Sequence, residues 1–154
     1  MTAIIRSIYT AVESGQPMQS VNSAQLVAGQ GITGDRYCSG KGTFSAKLKD
    51  MPDRELTLIE FEEIELFNTS HGFSFDAGDF RRNIVTRGIR LNELVDREFS
   101  IGGVRLRGIR LCEPCNHLAK LTSPEILRAL VHKAGLRAAI LNSGEITVND
   151  TITP

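Results

Sequence analysis

The chain has 154 residues, which suits a single domain over 1–154. Hydrophobic residues make up 41% and charged residues 23%, enough apolar content for a packed core and against wholesale disorder. Eighteen Lys and Arg balance eighteen Asp and Glu, so the basic excess of a dedicated nucleic-acid or membrane-surface binder is missing.

No apolar run reaches the roughly 18 residues needed to span a bilayer. The first residues, Met1 to Arg6, lack a charged leader followed by an apolar stretch. Three cysteines, Cys38, Cys112 and Cys115, form an odd set that fits a reducing, cytoplasmic setting better than a disulfide scaffold. The expected partners therefore include no nucleic acid and no membrane.

In chain order, Ile4, Ile5, Ile8, Ala11 and Val12 predict a first strand. Leu26 to Ala28 predict a second, stopped by Gly29, Gly31 and Gly34. Tyr37 to Phe44 reads as a glycine loop and Ser45 to Arg54 as an exposed polar segment. Leu56 to Ile59 reads as a strand. Glu60 to Phe67 reads as a helix with Phe61, Ile64 and Phe67 on its apolar face. Asp76 to Asp79 is a turn, Asn83 to Thr86 a short strand, and Glu98 to Ile101 and Val104 to Cys112 are strands joined at Gly102-Gly103. Helices begin near Pro114 and Pro124, the second capped by Thr122 or Ser123 and ending at Gly135. Arg137 to Leu141 and Glu145 to Val148 predict a closing hairpin over Asn142 to Gly144. With no strand–helix–strand rhythm, this pattern predicts a mainly β fold: a mostly antiparallel barrel of about seven strands with a few short helices.

Three segments carry chemistry. In Leu111 to Leu118, Pro114 fits the first helical position, which puts Cys115 in the first turn, where free N–H groups and the helix dipole favour a thiolate. Such a thiolate accepts sulfur, binds a soft metal or exchanges disulfides. A Cys-x-x-Cys pair also serves zinc, but Cys38, His71, His117 and His132 lack regular metal spacing. His117 follows Cys115 by two, about 200° round a helix, which argues against direct Cys–His pairing, and it reads as surface or packing or, failing that, a substrate contact. Arg110 lies a few residues before the cysteines, within reach of an anion there, and Gly108 is a candidate bulge that changes the strand's parity. In Gly78 to Gly88, a tight turn feeds a strand beginning Arg81-Arg82-Asn83, an anion clamp beside an amide reader or simply a protected strand edge. Alternation sets Arg82 opposite Arg81 and Asn83. Gly31 to Phe44 has glycines enough to wrap a phosphate. Charge is also segregated. Asp50 to Glu65 is acidic and Arg81 to Arg110 basic, two faces that attract each other or an arginine-lined anion site.

These pieces stand in a fixed order. Gly31 to Tyr37, Leu56 to Glu60, Arg81 to Gly88, Leu111 to Cys115, and Gly135 to Ala138 with Gly144 to Ile146 together resemble the MOSC domain over nearly the whole chain. That family takes its name from the C-terminal domain of molybdenum-cofactor sulfurases. The resemblance implies a strand-rich barrel and a cysteine that carries sulfur or ligates molybdenum, mapped onto Cys115 as catalytic and metal-binding residue. It maps Phe80 to Asn83 onto the family's anion-binding segment, with Arg81 and Asn83 as contacts to a pterin phosphate. Arg110 and Cys112 are the further cofactor-binding candidates, and Cys112 either resolves a persulfide or packs. The implied cofactor is the molybdenum cofactor (molybdopterin). Pyridoxal phosphate belongs to a partner enzyme, because no lysine here stands in a recognisable Schiff-base setting. The expected function is a cytoplasmic sulfur carrier, or a molybdenum-cofactor-binding protein, with transferase chemistry. Its partner is a cysteine desulfurase or a molybdoenzyme. The alternatives are a molybdenum-dependent reductase of N-hydroxylated compounds and a non-catalytic module for anions or phosphates.

Overall fold

The computed structural model describes residues 2–154; Met1 lies outside the described residues. The chain is mainly β. Strands β1 (Ile4–Thr10), β2 (Gln19–Val21), β3 (Ser23–Val27) and β4 (Gly31–Ile32) come first. Then β5 (Leu56–Glu60) leads through helix α1 (Phe61–His71) to β6 (Ile84–Arg87). Next are β7 (Glu98–Ile101), β8 (Val104–Leu111), helices α2 (Asn116–Leu121) and α3 (Ile126–Ala129), and finally β9 (Leu136–Ile140), β10 (Gly144–Thr147) and β11 (Ile152–Thr153). Eight strands form one sheet in the order β11-β7-β8-β9-β5-β6-β1-β2, and β10-β3-β4 form a second. The large sheet curls until its two ends meet. Ile5 N–H donates to Asp150 O at 3.0 Å and Ile152 N–H to Ala3 O at 2.8 Å, which joins β1 to the segment carrying β11.

The barrel-like, mainly β architecture agrees with the sequence pattern, and four details correct it. More strands form than the expected seven, because β2, β4 and β11 are only two or three residues long and too short to show alternation. One strand–helix–strand unit does exist, since β5 and β6 pair in parallel across α1. The closing hairpin does not form. Both edges of β9 are taken by β5 and β8, so β10 turns away and pairs with β3. The second C-terminal helix is a single turn and does not run to Gly135, because Lys133 N–H bonds to Leu130 O, three residues back, and His132 is left-handed at φ 60°, which ends the i to i−4 pattern.

Side-chain alternation in β5 and β6 divides the apolar residues into two cores. Leu58 and Ile84 join Ile5, Leu106, Leu136 and Ile140 inside the barrel. Ile59 and Val85 point the other way, against Phe67, Phe80, Leu118 and Ile126 under the helices. All five residues of β5 are buried, as expected of a strand covered on both faces.

The stagger of the strands creates the site. Ile84 pairs with Leu58, Leu58 with Leu136, and Leu136 with Leu111. The start of β6 and the end of β8 therefore lie on one row, and the segments Arg81–Asn83 and Cys112–Cys115, adjoining that row, converge. Gly135, just before β9, makes the row possible. Its φ is +119°, a Cβ there would fall 2.0 Å from Leu58 O, and its carbonyl accepts the Cys112 N–H at 2.8 Å. Gly135→Ala is expected to cost about 3 kcal/mol, in the range of strained-backbone and overpacking changes. For a domain of this size that lowers Tm by about 9 °C. Gly40→Ala, also at positive φ but with nothing within 4 Å of the added Cβ, should cost only about 1 kcal/mol. Thermal unfolding followed by circular dichroism tests the difference.

Candidate functional site

Arg81 is not extended, as simple alternation required. It follows the 3-10 turn Ala77–Phe80 and takes the left-handed conformation, φ 61°, ψ 27°, with its N–H donating to Gly78 O at 3.1 Å. That changes the faces of its neighbours. Arg82 does not turn out to solvent. It is buried, and its Nε donates to Ala134 O at 2.9 Å, while Nη2 reaches Cys112 O at 3.3 Å and Glu113 O at 3.4 Å. Arg82 thus holds the cysteine loop in place.

Asn83 is buried, with both ends of its amide engaged. Oδ1 accepts from Thr57 N and Oγ1, and Nδ2 donates to Tyr9 O at 3.1 Å. It fixes the start of β6 between β1 and β5, behind the two arginines.

Arg81 is 8% exposed. Its Nη1 donates to Gln16 O at 2.6 Å, but its buried Nη2 has no hydrogen-bond partner. Burial, and then the neighbouring Arg36, push the guanidinium below the usual arginine range. Arg36 is the residue the sequence reading missed. It is 5% exposed, pairs with buried Asp35 at 3.0 Å, and donates from Nη2 to Arg81 O at 3.2 Å, bracing the left-handed turn. Asp35 in turn accepts the Ala11 N–H at 3.1 Å and the Tyr37 N–H at 3.2 Å. The glycine loop therefore contributes a guanidinium and its counter-ion to the site.

Arg36, Arg81 and Arg82 line a narrow cleft of about 30 Å³ with Cys112, Cys115 and His117, while Asp35 and Asn83 stand behind its wall. Cys112 is 2% exposed and Cys115 half-buried. Cys115 is not in the first helical turn. It is the residue before α2, extended at φ −133°, ψ 169°, with its carbonyl accepting Ala119 N–H at 2.9 Å. The 200° separation from His117 assumed a helical Cys115, so it does not apply, and His117 shares the cleft. Its Nε2 lies 3.4 Å from Thr43 Oγ1, which bonds in turn to Ser14 Oγ. Burial, then Arg81, Arg36 and Lys120, push the imidazole below the usual histidine value.

Arg110 stands apart from the cleft. The register of β8 shifts between Gly108 and Arg110, as the bulge reading allowed, and Arg110 turns outward to pair with buried Asp53. With Arg90 paired to Glu60 at 3.5 Å, it shows the basic and acidic segments attracting each other. Cys38 lies elsewhere, its thiol pushed up by burial and by Asp35. Among the described residues, no group of three or more His, Cys, Asp and Glu gathers to hold a metal ion, and no helix is long and apolar enough to cross a membrane.

The MOSC domain family model matches residues 30–153. The fold is similar to that of YuaD from Bacillus subtilis, at 16% identity and a TM-score of 0.82, covering 99% of this chain and 94% of that one. It is also similar to YiiM from Geobacillus stearothermophilus, at 15% identity and a TM-score of 0.76, covering 98% and 74%. YiiM from Escherichia coli gives 18% identity and a TM-score of 0.73, covering 99% and 69%. No curated protein matches the chain.

The two adjacent arginines should separate cleanly on mutation. Arg81→Ala is expected to weaken binding of inorganic phosphate by about 1.5–3 kcal/mol, the scale of a charge-assisted hydrogen bond. Its Tm should change little, because one guanidinium edge was unsatisfied. Arg82→Ala should lower Tm, since three carbonyls lose their donor. Calorimetric titration and thermal melts on both variants decide the matter.

His117 gives a pH prediction. Its folded-state value lies below that of the unfolded chain, so the unfolded chain binds the proton first. The histidine therefore costs stability as pH falls below about 6.5 and not above it. Its ring resonances should titrate below about 6.5 in NMR spectra and move upward when an anion binds beside the cationic groups that face it.

Proposed function

The chain belongs to the MOSC domain family, and we propose that within it this protein carries sulfur on Cys115. The observation behind this reading is the cleft itself. A half-buried thiol shares a narrow space with Arg36, Arg81 and Arg82, and one guanidinium edge has no partner. Positive charge in a poorly hydrated space suits an anionic guest. The cleft, at about 30 Å³, is large enough to admit a small guest beside the thiol. In the loading step, Cys115 sulfur attacks the outer sulfur of a donor persulfide. The donor's S–S bond breaks as the new one forms, and the donor leaves as a thiolate with no net oxidation. A cysteine desulfurase, with pyridoxal phosphate on its own chain, is the donor that fits this chemistry.

A second reading has its own observation. Arg81 also lines a groove of about 670 Å³ with Arg6, Tyr9, Phe61 and Phe75. An orphaned arginine edge and aromatic walls fit the phosphate and ring of an anionic pterin, so the residues present are compatible with molybdenum cofactor. Arg81 would hold the phosphate, with Asn83 fixing the backbone behind it, and Cys115, which lines the adjoining cleft and not this groove, would offer one soft ligand to a metal reaching that cleft. When bound, that group would supply the two-electron reduction that an N-hydroxylated substrate needs.

Cys115→Ser is expected to abolish sulfur loading, because a hydroxyl is too hard and too basic to replace a thiolate. Cys112→Ser should still take up sulfur, because the accepting thiol is intact. The assay is cyanolysable sulfur after incubation with a cysteine desulfurase and cysteine, run beside metal and pterin analysis of protein from a host that makes molybdenum cofactor. Labile sulfur without metal supports the carrier, and metal with pterin supports cofactor binding. Absence of both supports the arginine cleft as a non-catalytic anion module. Full loading of the Cys115 variant would show that the wrong cysteine had been assigned.

A further inference from the structure

Cys112 is a buried nucleophile that the loading step does not use. Its place is defined by the backbone. Its N–H donates to Gly135 O at 2.8 Å, and its carbonyl and that of Glu113 accept from the Arg82 guanidinium at 3.3 and 3.4 Å. Glu113 is anchored on the outer side as well, where its carboxylate accepts the His132 N–H at 2.7 Å. The loop is thus pinned at both carbonyls, and Cys112 and Cys115 line the same cleft. Cys112 is 2% exposed, and the cleft it lines with Cys115 is its route to a partner in place of bulk solvent.

We infer that Cys112 discharges the sulfur carried by Cys115, releasing it as sulfide and leaving a Cys112–Cys115 disulfide. This inference rests on the carrier reading and adds an activity to it. In the step, Cys112 sulfur attacks the Cys115 sulfur of the persulfide. The persulfide S–S bond breaks, the protein disulfide forms, and the sulfane sulfur leaves with the electron pair as HS⁻. The proton lost by Cys112 passes to the medium or to the departing sulfide. Two cysteine sulfurs are oxidised and one sulfane sulfur is reduced, so the step balances without an outside oxidant. A dithiol reductant then restores both thiols for another round. Holding the two sulfurs in one narrow space favours this intramolecular attack over attack by thiols in solution, for which the cleft has little room. The buried guanidinium groups attract the leaving anion, which suits delivery of sulfide to an acceptor docked at the cleft mouth.

The test uses the full chain with Cys38→Ser to remove the third thiol, loaded anaerobically with inorganic polysulfide. Trypsin cuts after Arg110 and Lys120, so Leu111–Lys120 carries both cysteines on one peptide. The parent should release sulfide without added reductant, and that peptide should become lighter by two hydrogens. With Cys112→Ser added, cyanolysable sulfur should persist for at least about tenfold longer, as expected when an intramolecular nucleophile is removed. Equal lifetimes in the two proteins, or sulfide release with no disulfide in the peptide, would overturn the inference while leaving the carrier intact. If neither protein takes up cyanolysable sulfur or releases sulfide, the carrier reading fails and the inference with it. The peptide mass of the parent decides the matter even if the Cys112 variant does not fold.

Discussion

Burying three guanidinium groups beside one carboxylate governs how this end of the barrel is built. An arginine stays charged under all physiological conditions, so each must be satisfied in place. Arg36 is neutralised by Asp35, and Arg82 is satisfied by three carbonyls. Those carbonyls belong to the cysteine loop and to the residue before Gly135, so their geometry is tied to that of the cation. Removing one partner from a buried pair such as Asp35–Arg36 costs about 3–5 kcal/mol. The same Asp35 holds the Ala11 and Tyr37 N–H groups, so its loss would also loosen the glycine loop from β1. Charge satisfaction and loop placement are one problem here, solved by one set of residues.

The strand register supplies the other half. Segments about 30 residues apart in sequence meet because β5, β6, β8 and β9 are staggered, with Ile84, Leu58, Leu136 and Leu111 on one row. Asn83 locks that row by bonding to β5 through Thr57 and to β1 through Tyr9. A polar side chain used in this way orients its neighbours without touching a ligand.

Much of this was legible in the sequence. The longer strands, the Gly102-Gly103 turn and the order of the motifs emerge from alternation and turn residues, and the motif order points to the family. The legible features share one property: each depends on residues close in sequence. The short strands β2, β4 and β11 carry no periodic signal, and which strand β10 pairs with depends on whether β9 has a free edge. Arg82 and His117 were misplaced for a local reason. Regular alternation does not run through Arg81, nor a regular helix through Cys115, because the backbone is left-handed in one case and extended in the other. Arg36 gave the weakest signal, since an arginine beside an aspartate in a glycine loop looks like a surface ion pair. Only the packing of that loop against Arg81 makes it part of the site.

Arg81 concentrates two departures from stable design. A left-handed conformation in a residue other than glycine costs about 1–2 kcal/mol. Leaving a buried guanidinium edge without a partner costs a further sum of similar size or more. The chain uses glycine at positive φ in many other turns, so the conformation alone did not require arginine at position 81. A smaller residue there would relieve the orphaned edge, but it would remove the cation that faces both the cysteine cleft and the larger groove beside it. Arg36 holds the strained turn by its carbonyl, which directs stabilising interactions toward keeping the unsatisfied edge in position. Strain and an unmet hydrogen bond on the same side chain, braced by a second buried charge, are the features on which the proposed anion contact of Arg81 rests. A guanidinium edge only donates, so its complement is an acceptor, and three buried guanidinium groups beside one carboxylate favour an anionic acceptor over a neutral one, which is why the proposal names an anion.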